Sequence, residues 1–539
     1  MDAATIHDRR WWALAVMCVS LLVITLDNTI LNVALPALVR DLHASTSQLQ
    51  WIVDGYTLVF AGLLLTTGSM GDRFGRKGAL GIGLVVFSVG SLLSAFAGSA
   101  NVLVFTRAFM GIGAALIMPA TLSLLTNIFR DPKERGRAIG VWAAVAGGGG
   151  ALGPVLGGFL LQHFWWGSVF LINVPVAIGA LVAGRFLLPP SRDPSAPRLD
   201  PLGAVLSITG LVALLWAIIE APTEGWSDPM VLGGFVVGIA VLGGFVLWEL
   251  RCDHPMLDVR FFENRRFSAA NAAITMVFFA MFGSMFLTTQ YLQTVLGYSA
   301  LEAGVRMLPM ALVMFIAAPI APRIVERVGT KLVVGVGMLI AAGGMVIVSQ
   351  VPETNGYPHL LVGLMIVSLG MGIAMAPATE SIMGSLPPAK AGVGSAMNDT
   401  TRQVGSALGV AVIGSALATS YRPGVAARLQ ALHAPADVVR VAKDSVGGAV
   451  EAASRLPGPL GDAVTAAARH EFVSGLGVAL LIAAAIVAFA AVVVFAFLPA
   501  RAADTATETV ETDAAVEGFA SITFAEAEGA LEADTAGAA

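Results

Sequence analysis

The feature that most constrains this chain is a series of long apolar runs separated by short polar stretches. A helix needs about 20 apolar residues to cross the hydrocarbon core of a bilayer. Hydrophobic residues occupy 56% of the 539 positions and charged residues only 12%, about half the charged fraction of soluble domains. The sequence therefore predicts an all-α membrane protein with fourteen transmembrane helices, at 11–36, 50–70, 79–98, 102–125, 138–161, 168–188, 202–220, 230–250, 267–290, 304–322, 332–350, 359–379, 395–419 and 472–498.

Basic residues predict the orientation of these helices. Alternate loops are rich in Arg and Lys, as at Arg73, Arg76 and Lys77, whereas Arg40 is the one basic residue in the other short loops. The positive-inside rule then places the basic loops and both termini in the cytoplasm. The first run lacks a small-x-small cleavage site, so we expect it to be retained as a span.

A repeated loop predicts how the helices are grouped. Positions 72–77 read DRFGRK and positions 326–331 read ERVGTK, with the acid, Arg, Gly and Lys in register. If the two loops correspond, spans 1–6 and 9–14 are two copies of one unit, a recurring transporter architecture. We therefore expect a cytoplasmic N-terminus at 1–10, a six-helix bundle at 11–188, a linker with inserted helices 7 and 8 at 189–266, and a second bundle at 267–498.

Two segments depart from this regular pattern. The stretch 420–470 is predicted to be extracellular although it carries six Arg and Lys residues, and long loops obey the orientation rule weakly. Its Ala- and Val-rich pattern indicates a short amphipathic hairpin on the outer surface. Positions 499–539 hold nine acidic residues and little apolar surface, which predicts a disordered acidic cytoplasmic tail.

Two charged residues lie inside apolar runs of the first half. Asp27 follows about sixteen uncharged, mostly apolar residues, and Arg107 interrupts the run at 102–125. A charge at the bilayer centre costs about 2.5–3.5 kcal/mol on insertion scales, so such residues usually face a protein interior and are functional. Each therefore needs the other, or water, as a partner. The alternatives are Asp27 among the headgroups and Arg107 extending to the outer surface.

Other acids lie near the ends of runs. Asp54 is early in the second run, while Glu220, Glu380 and Asp399 are candidate cavity acids in the seventh, twelfth and thirteenth. Glu220 and Glu380 are equally typical of interfacial caps. Asp399 lies three residues before Arg402, a spacing that also allows an ion pair on one helix face.

Several motifs resemble those of the major facilitator superfamily. Positions 68–77, GSMGDRFGRK, are similar to its loop between spans 2 and 3, and positions 103–113, LVFTRAFMGIG, to its fourth-span motif. Positions 149–158, GGALGPVLGG, are similar to the fifth-span motif linked to antiport. Together with positions 26–36, they resemble the fourteen-span drug:proton antiporter family, and in particular its quaternary-ammonium-exporting branch. Much of that family has Trp-Arg-Trp where this chain has Trp165-Trp166.

The resemblance implies a major facilitator fold of two six-helix bundles plus two inserted helices. It also implies a proton-transfer role for Arg107 and an acidic site at Asp54. A conformational gating loop would contain Gly68, Asp72, Arg73, Gly75 and Arg76, with Asp72 at a helix N-terminus, where the helix dipole favours an anion. The antiporter motif of helix 5 would contain Gly149, Gly153, Pro154, Gly157 and Gly158, glycines for close helix approach and a proline for a bend.

The expected function is proton-coupled multidrug efflux across the plasma membrane, with protons and lipophilic or quaternary cations as partners. Asp27 and Asp54 would line the cavity between the bundles and bind a proton and a cation in turn. Membrane lipid is a further expected partner and would contact the outer surfaces of the helices. The alternative is export of an endogenous metabolite, lipid or antibiotic by the same fold.

Other classes of protein lack support in the sequence. The seven His residues are scattered singly, and no Walker-type Gly-Lys-Ser/Thr loop is present, so we expect neither an enzyme nor a use of ATP. Cys18 and Cys252 are far apart and suggest no metal site. We therefore expect no cofactor and no nucleic-acid partner.

Overall fold

A computed structural model describes residues 3–42, 44, 46–192 and 200–499. Within these residues, fourteen helices are long and apolar enough to cross a membrane, which confirms the predicted count and the all-α fold class. Apart from Pro499, the predicted acidic tail lies outside the described residues.

The helices follow the chain in three groups. Spans 1–6 are Ala3–Leu42, Thr46–Phe74, Arg76–Ala95, Ala100–Ile128, Pro132–His163, and a broken sixth span of Ser168–Leu171 and Asn173–Leu187. Spans 7 and 8 are Pro201–Glu224 and Pro229–Glu249. Spans 9–14 are Arg265–Gln290 with a π-helical end at Tyr291–Val295, Ala300–Val328, Thr330–Val348, Tyr357–Met383, Ala391–Ala431 and Gly458–Phe497. Short 3₁₀ turns at Val259–Glu263 and Pro388–Lys390 precede spans 9 and 13.

Asp-Pro pairs determine where several helices begin. Asp131 precedes Pro132, and its carboxylate accepts hydrogen bonds from the backbone of Lys133 at 3.0 Å and Glu134 at 2.9 Å. The same arrangement starts spans 7 and 8 after Asp200 and Asp228. The aspartate satisfies free N–H groups of the first turn, and proline tolerates the first helical position because it has no N–H to satisfy.

The repeated loops adopt the same turn. Gly75 joins spans 2 and 3 with a φ of 115°, and Gly329 joins spans 10 and 11 with a φ of 87°. Both values lie in the region that favours glycine over residues with a Cβ atom. The two halves of the chain therefore share a local geometry at equivalent points, as expected for two copies of one unit.

We call the end of the molecule that carries these two loops the basic end, and the other end the opposite end. Lys77 Nζ donates to the carbonyl oxygens of Arg185 and Leu188, at 2.9 and 2.6 Å, so the loop after span 6 also lies there. Arg10 Nη2 bonds Glu134 Oε1 at 3.0 Å, which places the start of span 1 at the same end.

Two seams join the bundles. Span 5 packs against span 10 along its whole length, from Gly136 beside Pro322 to Gly158 beside Leu301. Span 2 packs against span 13, and the inserted span 7 covers this second seam, with Leu58, Leu215 and Ala411 in one apolar cluster. Span 8 packs outside span 7. The insertion therefore extends one face of the two-bundle core.

The segment 420–470 is more helical than the sequence analysis expected. The helix of span 13 continues to Ala431 and that of span 14 begins at Gly458, with two short helices, Ala436–Asp444 and Val446–Ala453, between them. The hydroxyl of Tyr421 donates to the Ala442 carbonyl at 2.9 Å and ties a short helix to span 13. The apolar run ends near Arg422, but the helix continues because its inward face still packs on other helices.

Candidate functional site

Asp27 and Arg107 form an ion pair in the interior of the N-terminal bundle. Asp27 is 0% exposed and Arg107 is 1% exposed. Arg107 Nη1 donates to Asp27 Oδ2, and its Nε donates to the Ile52 carbonyl at 3.2 Å. The other carboxylate oxygen of Asp27 accepts from the Asn173 amide at 2.9 Å. Spans 1, 2, 4 and 6 thus converge on one buried charge pair, and neither side chain is exposed at the protein surface.

Three further residues surround this pair. The Arg107 guanidinium lies 4.2 Å from the centroid of the Tyr56 ring, a cation–π contact. Asn173 also donates to Ser91 Oγ at 3.2 Å, which fixes the amide that faces Asp27. Sequence reasoning did not select Asn173, Tyr56 or Ser91. The signal available for Asn173 was a polar amide inside the apolar run at 168–188.

Asp54 does not contact this pair, and the expectation that Asp27 and Asp54 line one cavity stays a prediction. Residues 52 and 56 of span 2 face Arg107, and residue 54 lies about 200° around the helix from each of them. Asp54 is half-buried and hydrogen-bonded by the Gln50 side chain. Gln50 Nε2 also donates to Glu220 Oε1 at 3.5 Å. Asp54 and Glu220 therefore form a separate acidic pair between span 2 and the inserted span 7.

Asp399 and Arg402 form a second buried pair, in span 13. Their closest atoms are 3.7 Å apart, and the two side chains are 1% and 3% exposed. The Arg402 guanidinium lies over two rings, 4.6 Å from that of Trp142 and 5.0 Å from that of Phe278. Trp142 belongs to span 5 of the other bundle. The Asp399–Arg402 pair therefore lies where the two bundles meet. Arg402 is bound there both by the carboxylate of Asp399 and by its cation–π contact with Trp142.

The gating loop closes the basic end between spans 2 and 13. Asp72 accepts from the backbone N–H groups of Gly392 at 2.9 Å and Val393 at 3.1 Å, in the first turn of span 13. Arg76 Nε donates to Asp72 at 2.7 Å, and its Nη2 donates to the Ala389 carbonyl at 2.7 Å. The carboxylate thus binds the positive end of a helix dipole that belongs to the other bundle.

The rest of the loop supports this contact. A Cβ at Gly68 would lie 2.6 Å from Ala396 Cβ and 2.7 Å from the Gly392 carbonyl, so only glycine allows the observed approach. Gly75 provides the turn described above. Arg73 is half-buried, with its guanidinium 5.4 Å from the centroid of the Phe74 ring.

Glu380 joins the two bundles at the basic end, and its assignment as a candidate cavity acid stays a prediction. Arg135 of span 5 donates to Glu380 of span 12 through Nη2 at 2.6 Å and Nε at 2.9 Å, a bidentate bond between the bundles. Arg137 lies 3.6 Å from Glu326 beside it. The carboxylate of Glu380 is paired with arginine at the basic end and is therefore not available to a central cavity in this conformation.

The glycines of the span 5 motif lie on two faces. A Cβ at Gly149, Gly153 or Gly157 would overlap Thr25, Thr29 or Ile30 of span 1, respectively. On the other face, a Cβ at Gly158 would lie 2.9 Å from Leu301, and Pro154 packs against Gly304, both in span 10. Span 5 is thus held between span 1 of its own bundle and span 10 of the other, with small residues at both contacts.

The described residues contain no cluster of three or more His, Cys, Asp or Glu side chains that could bind a metal ion. Fourteen membrane-spanning helices in two packed bundles, each with a buried ion pair and joined to each other at one end, are an architecture typical of multi-pass membrane transporters.

Comparison with known proteins gives the family. The Major Facilitator Superfamily model matches residues 17–410, and the chain belongs to that family. It is 37% identical over 490 residues to the multidrug efflux pump LfrA of Mycolicibacterium smegmatis, covering 90% of this chain and 96% of the relative. It is 34% identical to the tetracenomycin C resistance and export protein of Streptomyces glaucescens, and the match covers 91% of this chain and 92% of that relative.

Two more matches extend the comparison. The methyl viologen resistance protein SmvA of Salmonella typhimurium is 34% identical, and the match covers 88% of this chain and 95% of SmvA. Among solved structures, the human organic anion transporter MFSD10 superposes with a TM-score of 0.58 at 14% identity, covering 92% of this chain and 99% of that one. The structural match shows the fold, whereas the sequence matches show that the relatives are drug- and antibiotic-resistance transporters.

Proposed function

We propose that this protein is a proton-coupled antiporter that exports lipophilic and quaternary cations from the cytoplasm across the plasma membrane. The observation that carries the proposal is the fully buried Asp27–Arg107 pair, with Asn173 as its third member. By the positive-inside rule the basic end is cytoplasmic. Because that end is closed by the 68–77 loop and by Arg135–Glu380, we infer that this conformation does not admit cargo from the cytoplasm.

The chemistry of the pair links a proton to a conformational change. A proton that binds Asp27 neutralises the partner of Arg107 and leaves the guanidinium uncompensated in a low-dielectric interior, which is strongly unfavourable. Spans 1, 2, 4 and 6 then have to rearrange until the Arg107 guanidinium reaches another partner or water. Protonation of Asp27 therefore favours a different arrangement of the bundle, as required for coupling.

The relatives support cations as cargo. LfrA is a multidrug efflux pump, and SmvA confers resistance to methyl viologen, which is an aromatic dication. Asp54 and Glu220, which do not contact the Asp27–Arg107 pair, would then supply negative charge for a substrate rather than for coupling. Proton and drug would compete through conformation and not for one carboxylate.

Ethidium transport in everted membrane vesicles tests the proposal. We expect wild-type protein to accumulate ethidium in response to an imposed pH gradient, and Asp27→Asn to abolish that transport because Asn cannot exchange a proton. Folding is checked by size-exclusion chromatography. The double variant Asp27→Asn/Arg107→Gln removes the uncompensated charge and keeps the test valid if the single variant is unstable. Asp437→Asn, an exposed acid in the 420–470 segment, is the matched control.

Transport by wild-type protein that is insensitive to collapse of the pH gradient would contradict proton coupling. Wild-type rates in a folded Asp27→Asn variant would remove Asp27 from the mechanism.

A second candidate function is export of an antibiotic, for which the Streptomyces relative gives a specific reason, because its name records both resistance to and export of tetracenomycin C. The two functions differ in the charge of the cargo. Inhibition of ethidium transport by neutral polycyclic antibiotics, at concentrations similar to those of cationic inhibitors, would favour the second function.

A further inference from the structure

We propose that a cavity at the opposite end of the molecule is an exit-side binding site for aromatic cations. The inference rests on the proposed function and deepens it, because it assigns a place and a chemistry to the last contact of the cargo before release. The site is distinct from the Asp27–Arg107 pair and from Asp54 and Glu220.

The cavity has a volume of about 310 Å³ and lies where spans 1, 5 and 10 meet. Val33, Ala37 and Asp41 line one side, since residues four apart share a face of span 1. The end of span 5 and the loop that follows it form the second side, and the start of span 10 forms the third. A volume of this size is at the lower end of the range for small-molecule sites.

The lining combines one carboxylate with three aromatic rings. Asp41 is exposed and faces the cavity from span 1, and Phe164, Trp165 and Trp166 contribute their rings from the loop after span 5. Trp165 is supported from behind by Phe96, with ring centroids 6.2 Å apart. A cation is attracted both to a carboxylate and to the face of an aromatic ring, and the attraction to tryptophan is the strongest.

Both bundles contribute to the cavity. Ser299 and Leu301 lie at the start of span 10, and Leu301 touches Gly158 of span 5. Ser299 is held by a capping box, in which its backbone N–H donates to Glu302 at 2.9 Å and its hydroxyl accepts from the Glu302 N–H at 3.2 Å. A movement of one bundle against the other would therefore change the cavity. We infer that the site is complete while the basic end is closed, when the cargo has to leave.

Equilibrium dialysis of the purified full-length protein in phosphatidylglycerol nanodiscs tests the site, with tetraphenylphosphonium as the cation and triphenylphosphine oxide as its neutral analogue. We expect Asp41→Asn to weaken tetraphenylphosphonium binding about tenfold and to leave the binding of the neutral analogue unchanged. Trp165→Ala should weaken the binding of both ligands, whereas Trp165→Phe should retain most of it. Asp437→Asn, at the same end but outside the cavity, should bind like wild type.

Wild-type affinity for tetraphenylphosphonium in both Asp41→Asn and Trp165→Ala would overturn the inference. Equal weakening of tetraphenylphosphonium and triphenylphosphine oxide binding by Asp41→Asn would also overturn it, because the site would then not select for positive charge. Neither result affects ethidium transport by wild-type protein, on which the proposed function depends. Conversely, absence of proton-driven transport together with a charge-selective effect of Asp41→Asn would reject the proposed function and keep the site.

Discussion

Asp27 and Arg107 stabilise each other because neither has access to water. The carboxylate is bonded on both oxygens, and the guanidinium is bonded to Asp27 and to the Ile52 carbonyl while it stacks on Tyr56. Such a pair contributes less to stability than its close contact suggests, since both charges had to be desolvated. Its main energetic consequence is that the loss of one partner is far more damaging than the loss of both.

We predict that Asp27→Ala lowers the free energy of unfolding by about 3–5 kcal/mol, since Arg107 is left buried without a counter-charge. The double variant Asp27→Leu/Arg107→Met should recover most of that loss, because two apolar side chains replace two charges of similar volume, yet it should not transport. Thermal unfolding in detergent measures the first effect and vesicle transport the second. Equal destabilisation in the single and double variants would show that the charges do not compensate each other.

At the scale of helices, the seam between spans 2 and 13 depends on close backbone approach. Gly68 allows it, and Asp72 then reaches two N–H groups in the first turn of span 13. If the basic end opens as the proposed transport cycle requires, the carboxylate of Asp72 loses both bonds and the start of span 13 loses its anionic cap. Arg76 stays with Asp72 because both are in the same half of the chain.

We predict that Gly68→Val shifts the protein away from the closed basic end, because the added side chain would overlap Ala396 and the Gly392 backbone. Gly78→Val is a suitable control, since no atom lies within 4 Å of a Cβ at that position. Electron-spin distance measurements between labels at the exposed positions 130 and 387 report the opening. Unchanged distances in Gly68→Val would show that the neighbouring helix can adjust without opening.

At the scale of the whole molecule, the basic end is closed by charges from both bundles. Arg135–Glu380 is bidentate and about four-fifths buried, with side-chain exposures of 15% and 18%, while Arg137–Glu326 beside it is more exposed. Hydrogen bonds to charged groups contribute about 1.5–3 kcal/mol when well formed. Solvent screening reduces that figure at partly exposed positions.

We predict that Glu380→Gln favours opening of the basic end by about 1–2 kcal/mol, which changes the ratio of the two conformations by a factor of roughly 5–30. The charge-swapped variant Arg135→Glu/Glu380→Arg should restore closure in part, because the pair forms in reverse beside the unchanged cation of Arg266. Accessibility of a cysteine at position 389 to a membrane-impermeant maleimide, in everted vesicles of a cysteine-free background, measures the opening. A charge swap as open as the single variant would argue against a role for this pair.

The sequence was sufficient for the helix count, because apolar runs near the length of a bilayer have few alternative structures. It was also sufficient to indicate that Asp27 and Arg107 need a partner, since an isolated buried charge is so costly. The repeated glycine turns at Gly75 and Gly329 followed from two loops in register. These features depend on local composition or on a strong energetic penalty.

The contacts between distant helices could not be predicted in the same way. Glu380 and Arg135 are 245 positions apart, and only the packing of span 5 against span 12 brings them together. Asp54 and Tyr56 are two residues apart, yet they face different neighbours, because the rotation of span 2 is set by its contacts with spans 4 and 7. Asn173 was missed because one amide in an apolar run has no partner visible in the sequence.

The 420–470 segment, which we call the helical projection, consists of the end of span 13, two short helices and the start of span 14. It has a practical consequence. Most of the molecule is embedded in lipid or detergent and offers few shape cues to image alignment. The bond between Tyr421 and Ala442 and the ion pair between Arg428 and Glu471 tie the projection to the second bundle. An antibody fragment raised against the short helices at 436–453 would therefore move rigidly with that bundle, and would provide a fiducial for electron cryomicroscopy of each conformation.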